Sequence, residues 1–164
     1  ELTRDNPVPL LEDVLREFFG KILLNIEIKS RHTGDALVWL LRRHFITCAD
    51  DWDLVLISSF KARELMRVRR RSKRANLALL HHQNPFAFIA YHRYLKLTAV
   101  GFHRLYLHRL ALEVARRAGI FIYAYTVDRP SAIHRLEHQG VQAIVTNYPD
   151  KCIAYINTHA EMHD

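Results

Sequence analysis

An α/β fold built on parallel strands is what the sequence predicts, and three observations carry that prediction. Short apolar runs recur along the 164 residues, at 22–28, 54–59, 77–80, 97–102, 120–127 and 143–146. Their starts mostly lie about twenty-odd residues apart, room for one strand, one helix and two short loops. The runs are almost uninterrupted by polar residues, as in parallel strands covered on both faces, and helical periodicity fills the segments between them.

The elements follow in order. Val8-Pro9-Leu10-Leu11-Glu12-Asp13-Val14-Leu15 reads as an extended entry into a helix. After the first strand, Thr33-Gly34-Asp35 leads into a helix whose face is Ala36, Leu37, Leu40 and Leu41. The second strand precedes a basic helix carrying Arg63, Arg67, Arg69, Arg70, Arg71, Lys73 and Arg74, with Leu65, Met66 and Val68 as its apolar positions. The third strand ends near His81 and His82, and His82-Gln83-Asn84-Pro85 reads as loop. The fourth runs up to His103, with Arg104 at a helix start. That helix spans 105–118, with Leu107, Leu110, Ala111 and Val114 as its stripe, and Gly119 stops it. Beyond the fifth strand, Pro130 suits a first helical position and Gly140 follows a helix ending near Gln139. Six such strands suit an open doubly wound sheet or part of a closed eight-stranded barrel. No strand runs into the Gly-rich phosphate loop that marks many open sheets, but periodicity alone leaves the two close to even.

Composition narrows the class. Hydrophobic residues make up 49% and charged residues 25%, enough for one sizeable core and too short for two ordinary domains, so residues 1–164 read as a single domain. No apolar run approaches the roughly 20 residues of a transmembrane helix. Cys48 and Cys152 lie far apart without a C-x-x-C grouping, which fits reduced cysteines in a cytoplasmic protein rather than a zinc site. The net charge of +7 is concentrated around the basic helix. Cations in a helix's last turn are favoured by its dipole, and no helix-turn-helix, zinc-finger or RNA-recognition signature is present, so a nucleic-acid partner is not expected. Glu1 opens the sequence without a Met or a signal-peptide pattern, so a natural start further upstream is expected.

The chemistry concentrates in Leu24-Asn25-Ile26-Glu27-Ile28-Lys29. Strand alternation puts Asn25, Glu27 and Lys29 on one side and Leu24, Ile26 and Ile28 on the other. Polar side chains facing the same way from a sheet strand are costly unless they meet ligands or one another. A carboxylate and an ammonium one residue apart suit a divalent cation beside a phosphate, and they equally suit a plain Glu–Lys pair closing a core layer.

These residues, followed by Leu56-Ile57-Ser58-Ser59-Phe60, Tyr123-Ala124-Tyr125-Thr126-Val127-Asp128 and Gly140-Val141-Gln142-Ala143-Ile144-Val145-Thr146-Asn147-Tyr148-Pro149-Asp150, resemble the glycerophosphodiester phosphodiesterase family. The resemblance covers nearly the whole chain, and its motifs stand in the family's order. It implies a parallel β/α barrel of the TIM type, incomplete, with strands equivalent to the third through eighth and the first two βα units missing. It implies hydrolysis of a glycerophosphodiester to glycerol 3-phosphate and an alcohol, in glycerol and lipid metabolism, with a divalent cation, Mg²⁺ or Ca²⁺, acting as a Lewis acid. On the same resemblance, Glu27 is a metal ligand, Lys29 contacts the substrate phosphate, and Tyr125 lines the pocket beside the glycerol. Asp128 replaces the family's more usual Asn.

One departure is large. The family's catalytic histidines lie in a His-Arg-Gly triplet on the first strand and a His-Asp pair after the second, with further acidic ligands in a Glu-x-Asp motif. Neither His-Arg-Gly nor Glu-x-Asp occurs in this sequence, and its His-Asp pair, His163-Asp164, stands at the far end of the chain rather than after a second strand. The resemblance therefore assigns no catalytic acid or base here, and the chain alone is expected to be inactive. His81, His82 and His103 are read as surface or pocket-rim residues, and His44, His108, His134 and His138 as solvent-facing. Two missing strands would leave barrel edges open to self-association. The alternative reading is a non-catalytic truncated paralogue that binds phosphodiesters or a protein partner.

Overall fold

The structure, a computed structural model, describes residues 8–81 and 83–160. His82 lies outside the described residues. Two compact units divide between Asn76 and Leu77.

The first unit runs through helix α1 (Leu11–Phe18), strand β1 (Leu24–Glu27), helix α2 (Gly34–His44), a 3-10 turn (Asp50–Leu54), strand β2 (Val55–Ser59) and helix α3 (Ala62–Arg71). β1 and β2 are parallel, with Leu24 beside Val55 and Glu27 beside Ser58. The expected extended entry and helix are there, but β1 starts later than the apolar run suggests, leaving Ile22 and Leu23 exposed. α2 buries Leu37, Val38 and Leu41, while Ala36 is exposed and Leu40 half-buried. The buried stripe is thus turned from the expected one, and α2 packs on α3. Gly34 marks that meeting. A Cβ there would lie 2.7 Å from the Glu64 carbonyl oxygen, so only glycine allows the approach.

Glu64 holds the same junction through its side chain. Its carboxylate, 3% exposed, accepts hydrogen bonds from the backbone N–H of His32 (2.8 Å) and Gly34 (3.0 Å), with Arg67 Nε at 3.5 Å. Burial pushes its pKa up, but those N–H donors and Arg67 prevail and leave it below the ordinary carboxylate value. The basic helix is partly committed to structure as well. Arg67 and Arg71 pair with Asp35 at 3.1 and 2.7 Å, and Arg69 donates to the carbonyl of Lys73 at 2.6 Å, just past the helix end.

The second unit contains strands β3 (Asn76–His81), β4 (Ala99–His103), β5 (Phe121–Tyr125) and β6 (Ala143–Ile144), alternating with helices α4 (Ala87–Leu95), α5 (Arg109–Arg117), α6 (Ile133–His138) and α7 (Pro149–Ala160). These strands pair in parallel and in sequence order. On one face, Phe102 packs edge-on to Phe88 of α4 at 6.0 Å. On the other, a Cβ at Gly101 would fall 2.6 Å from Leu80 and 2.7 Å from the Tyr123 ring, so the glycine makes room for that ring.

Two expectations are corrected here. α5 begins only at Arg109, because His103 turns the chain first: Tyr106 N–H donates to its carbonyl (2.9 Å) and Leu105 N–H to its Nδ1 (3.3 Å). Its buried face is Ala111, Leu112 and Ala115, whose small members let the helix close on the sheet, while Leu110 is 58% exposed. Pro130 opens a 3-10 turn (Pro130–Ala132) before α6 rather than the helix itself. Gly119 and Gly140 have φ of +67° and +87° and end α5 and α6 as expected.

Candidate active site

In parallel α/β folds the functional groups gather at the C-terminal ends of strands. In the first unit that end is Glu27, with Lys29 two residues on. Alternation holds: Ile28 is buried and Asn25, Glu27 and Lys29 are exposed. The Lys29 ammonium lies 3.7 Å from the Glu27 carboxylate, with side-chain exposures of 78% and 32%. Such an open pair contributes little to stability, about 0–1 kcal/mol. Exposed as it is, the pair does not close a core layer.

The chain just past Glu27 is held firmly. Ser59 Oγ donates to the Ile28 carbonyl (2.7 Å) and accepts from Lys61 N–H (3.0 Å), while Lys61 Nζ donates to the Lys29 carbonyl. Ser58, beside Glu27 in the strand register, is fully buried, and its Oγ has no hydrogen-bond partner among the described residues. Buried hydroxyls are nearly always satisfied by protein or water, so Ser58 Oγ is a polar atom beside Glu27 with a hydrogen bond still to make. Sequence reasoning passed over Ser58, Ser59 and Lys61 as parts of the site. The signal was the two serines closing an otherwise apolar strand.

In the second unit the strand ends are aromatic. Tyr125 and His103 sit side by side in register, ring centroids 5.9 Å apart, and Tyr106 lies 5.6 Å from His103. The Tyr125 hydroxyl donates to the His81 carbonyl at 2.6 Å, which fixes its ring. His81 itself aligns with Phe102, so its side chain points to the opposite face from Tyr125, among Phe102 and Phe88 at 5.8 and 6.1 Å. It is 6% exposed, which corrects the surface or rim reading. Burial pushes its imidazole down to about 4, and its Nε2 has no hydrogen-bond partner among the described residues. His81 is a neutral core histidine. Its apolar strand neighbours at alternate positions, Leu77 and Leu79, were the available sign. His44, His108 and His138 are exposed as expected, whereas His134 is half-buried, stacked on His138 at 6.4 Å.

Asp128 ties the end of β5 to the loop after β6. Its carboxylate accepts from Asn147 N–H (2.9 Å), Asn147 Nδ2 (3.1 Å) and Thr146 Oγ1 (3.3 Å), and the Asn147 N–H above all lowers its pKa. An Asn at this position would offer one side-chain oxygen to the three donors that share two here.

The sequence model of the Glycerophosphoryl diester phosphodiesterase family matches residues 1–151. The chain belongs to that family. A glycerophosphodiester phosphodiesterase of Bacillus subtilis is 30% identical over 152 residues, covering 87% of this chain and 52% of the relative. Another, from Caldanaerobacter subterraneus, is 27% identical over 152 residues, covering 89% and 60%. The structure of an Oleispira antarctica phosphodiesterase, solved in complex with the product sn-glycerol-3-phosphate, aligns with a TM-score of 0.74 at 22% identity, over 88% of this chain and 58% of that one. The fold class is accordingly α/β, that of an incomplete parallel β/α barrel. The chain spans little more than half the length of these relatives.

For a divalent cation the donor set is partial. Glu27 offers one hard carboxylate ligand with the orphaned Ser58 hydroxyl beside it. Among the described residues, no group of three or more His, Cys, Asp or Glu side chains is placed to hold a metal ion. These residues do not by themselves form the family's metal site.

Proposed function

We propose that this chain supplies part of a glycerophosphodiester phosphodiesterase site, and that at the family's full length the protein hydrolyses glycerophosphodiesters to glycerol 3-phosphate and an alcohol. The observation that carries this reading is the Glu27–Lys29 pair, open on one face at the end of β1 and 3.7 Å apart. Lys29 is the phosphate contact, a point charge on a flexible stem. Glu27 is one ligand of a divalent cation, Mg²⁺ or Ca²⁺, whose remaining ligands are not among the described residues. Tyr125, fixed by its bond to the His81 carbonyl, is the wall beside the glycerol. In the reaction a P–O bond forms to water, the bond to the alcohol oxygen breaks, and that oxygen takes up a proton. No described histidine is placed as the proton donor in this reading, so the 164-residue chain alone is inactive.

The test is glycerol 3-phosphate release from glycerophosphocholine, with Mg²⁺ or Ca²⁺. Cation-dependent turnover by the full-length protein that is lost in Glu27→Ala supports the reading. Turnover by the 164-residue chain alone would overturn the claim of inactivity. A second reading, a non-catalytic paralogue, is favoured by the partial donor set. Phosphodiester binding without turnover at full length would select it.

No helix among the described residues is long and apolar enough to cross a membrane, and a cytoplasmic location is the proposal. Self-association through strand edges is proposed too, because Ile22 and Leu23 stand 53% and 69% exposed beside β1. A strictly monomeric chain by light scattering would count against it.

A further inference from the structure

A second cluster of charge lies within the second unit. A cavity of about 310 Å³ opens between the chain that follows β4 and the chain that follows β5, with α6 as its far wall. Arg104, Arg129 and Arg135 come to it from those three segments. The one carboxylate in the lining is Asp128, and both its oxygens are taken up by Asn147 and Thr146. The arginines that form carboxylate ion pairs among the described residues are others: Arg16, Arg67, Arg71, Arg116 and Arg117. Three arginines thus line one concave volume against a single carboxylate, Asp128, which stays ionised and feels the charge of Arg104, so positive charge is in excess there.

We propose that this cavity binds a phosphate dianion, either free inorganic phosphate or the phosphate of a small monoester. Arginines from three segments around one cavity suit a tetrahedral oxyanion carrying close to two charges better than a planar, singly charged carboxylate. Leu105 and Leu136 in the same lining give a short carbon skeleton an apolar surface. The volume is at the small end of ligand sites and suits a small anion. The position, beside the C-terminal ends of parallel strands, is where such folds place ligands. This site uses neither Glu27 nor Lys29 and does not rest on the phosphodiesterase reading.

Equilibrium dialysis of the full chain against radiolabelled phosphate tests it, in a Lys29→Ala background so that the contact proposed there is removed. Saturable binding of one phosphate per chain is expected. The Arg129→Ala/Arg135→Ala double variant should bind roughly tenfold or more weakly, and Arg129→Lys/Arg135→Lys should recover part of the loss. Circular dichroism melts of both double variants confirm that they fold. Competition separates the two sources: glycerol 3-phosphate displacing label more tightly than unlabelled phosphate assigns the site to a monoester, and equal displacement assigns it to the free anion. Non-saturating binding, equal displacement by chloride or acetate at matched ionic strength, or unchanged binding in the alanine double variant would each overturn the proposal.

Discussion

The strand ends of the two units are built on opposite principles. In the first, β1 ends in an open carboxylate and ammonium whose neighbours Ser59 and Lys61 hold the backbone rather than the charges. In the second, β3, β4 and β5 end in His81, His103 and Tyr125: the His103 and Tyr125 rings touch, the Tyr125 hydroxyl donates to the His81 carbonyl, and the His81 ring packs on Phe102 on the opposite face. The difference teaches where chemistry and where shape reside. On the proposed reading Glu27 and Lys29 face a ligand, paired only loosely with each other at 3.7 Å, while Ser59 and Lys61 hold the backbone around them. A wall must keep its form, so its polar atoms are satisfied internally or its imidazole is held neutral.

The sharpest test of this contrast is Glu27→Ala. At full length it should reduce turnover about a thousandfold, as loss of one preorganised electrostatic contact does, with little change in unfolding by urea. A variant that loses stability instead would make Glu27 a structural residue and erase the distinction.

Glu64→Ala should do the reverse within the same unit. It removes a buried carboxylate that accepts two backbone N–H bonds, and about 3 kcal/mol of stability should be lost in urea titrations. Because the folded pKa of Glu64 lies below its ordinary value, its contribution is present above the unfolded pKa and fades as pH falls through the folded one.

His81 gives a different pH signature. Its folded pKa is depressed to about 4, so between its ordinary value of 6.5 and that point the unfolded chain binds more protons. Stability should therefore fall on acidification through this window, by roughly 2 kcal/mol after allowance for partial solvent access. His81→Phe should flatten that part of the curve while leaving the loss at lower pH. An unchanged slope would mean that the imidazole is not buried as described.

The smallest expected effect is that of Tyr125→Phe. It deletes the bond to the His81 carbonyl and should cost about 1 kcal/mol, read as a lower melting temperature with modest change in KM. A large loss of kcat would move Tyr125 from wall to reacting group.

Much of this was legible in the sequence, for particular reasons. The six strands were visible because parallel strands covered on both faces must be apolar throughout, and the helix stops at Gly119 and Gly140 because a positive φ favours glycine. Glu27 and Lys29 stood out because alternation placed them opposite Ile28, and the structure keeps that alternation. The α5 face was misjudged because periodicity counts apolar residues without knowing which of them are small enough to approach the sheet. His81 was misjudged because a histidine at a strand end was read by residue type, although Leu77 and Leu79 at alternate positions put it on a buried face.

The sequence by itself determined the alternation of strands and helices, the family, and the charged pair at the end of β1, since each rests on local pattern and residue type. The tertiary structure decided that Glu64 anchors the α2–α3 junction, that Ser58 is buried beside Glu27 without a hydrogen-bond partner among the described residues, that His81 is a neutral core residue, and that Arg104 lines one cavity with Arg129 and Arg135. Those outcomes depend on which groups become neighbours and lose water, and that is set only when distant segments pack.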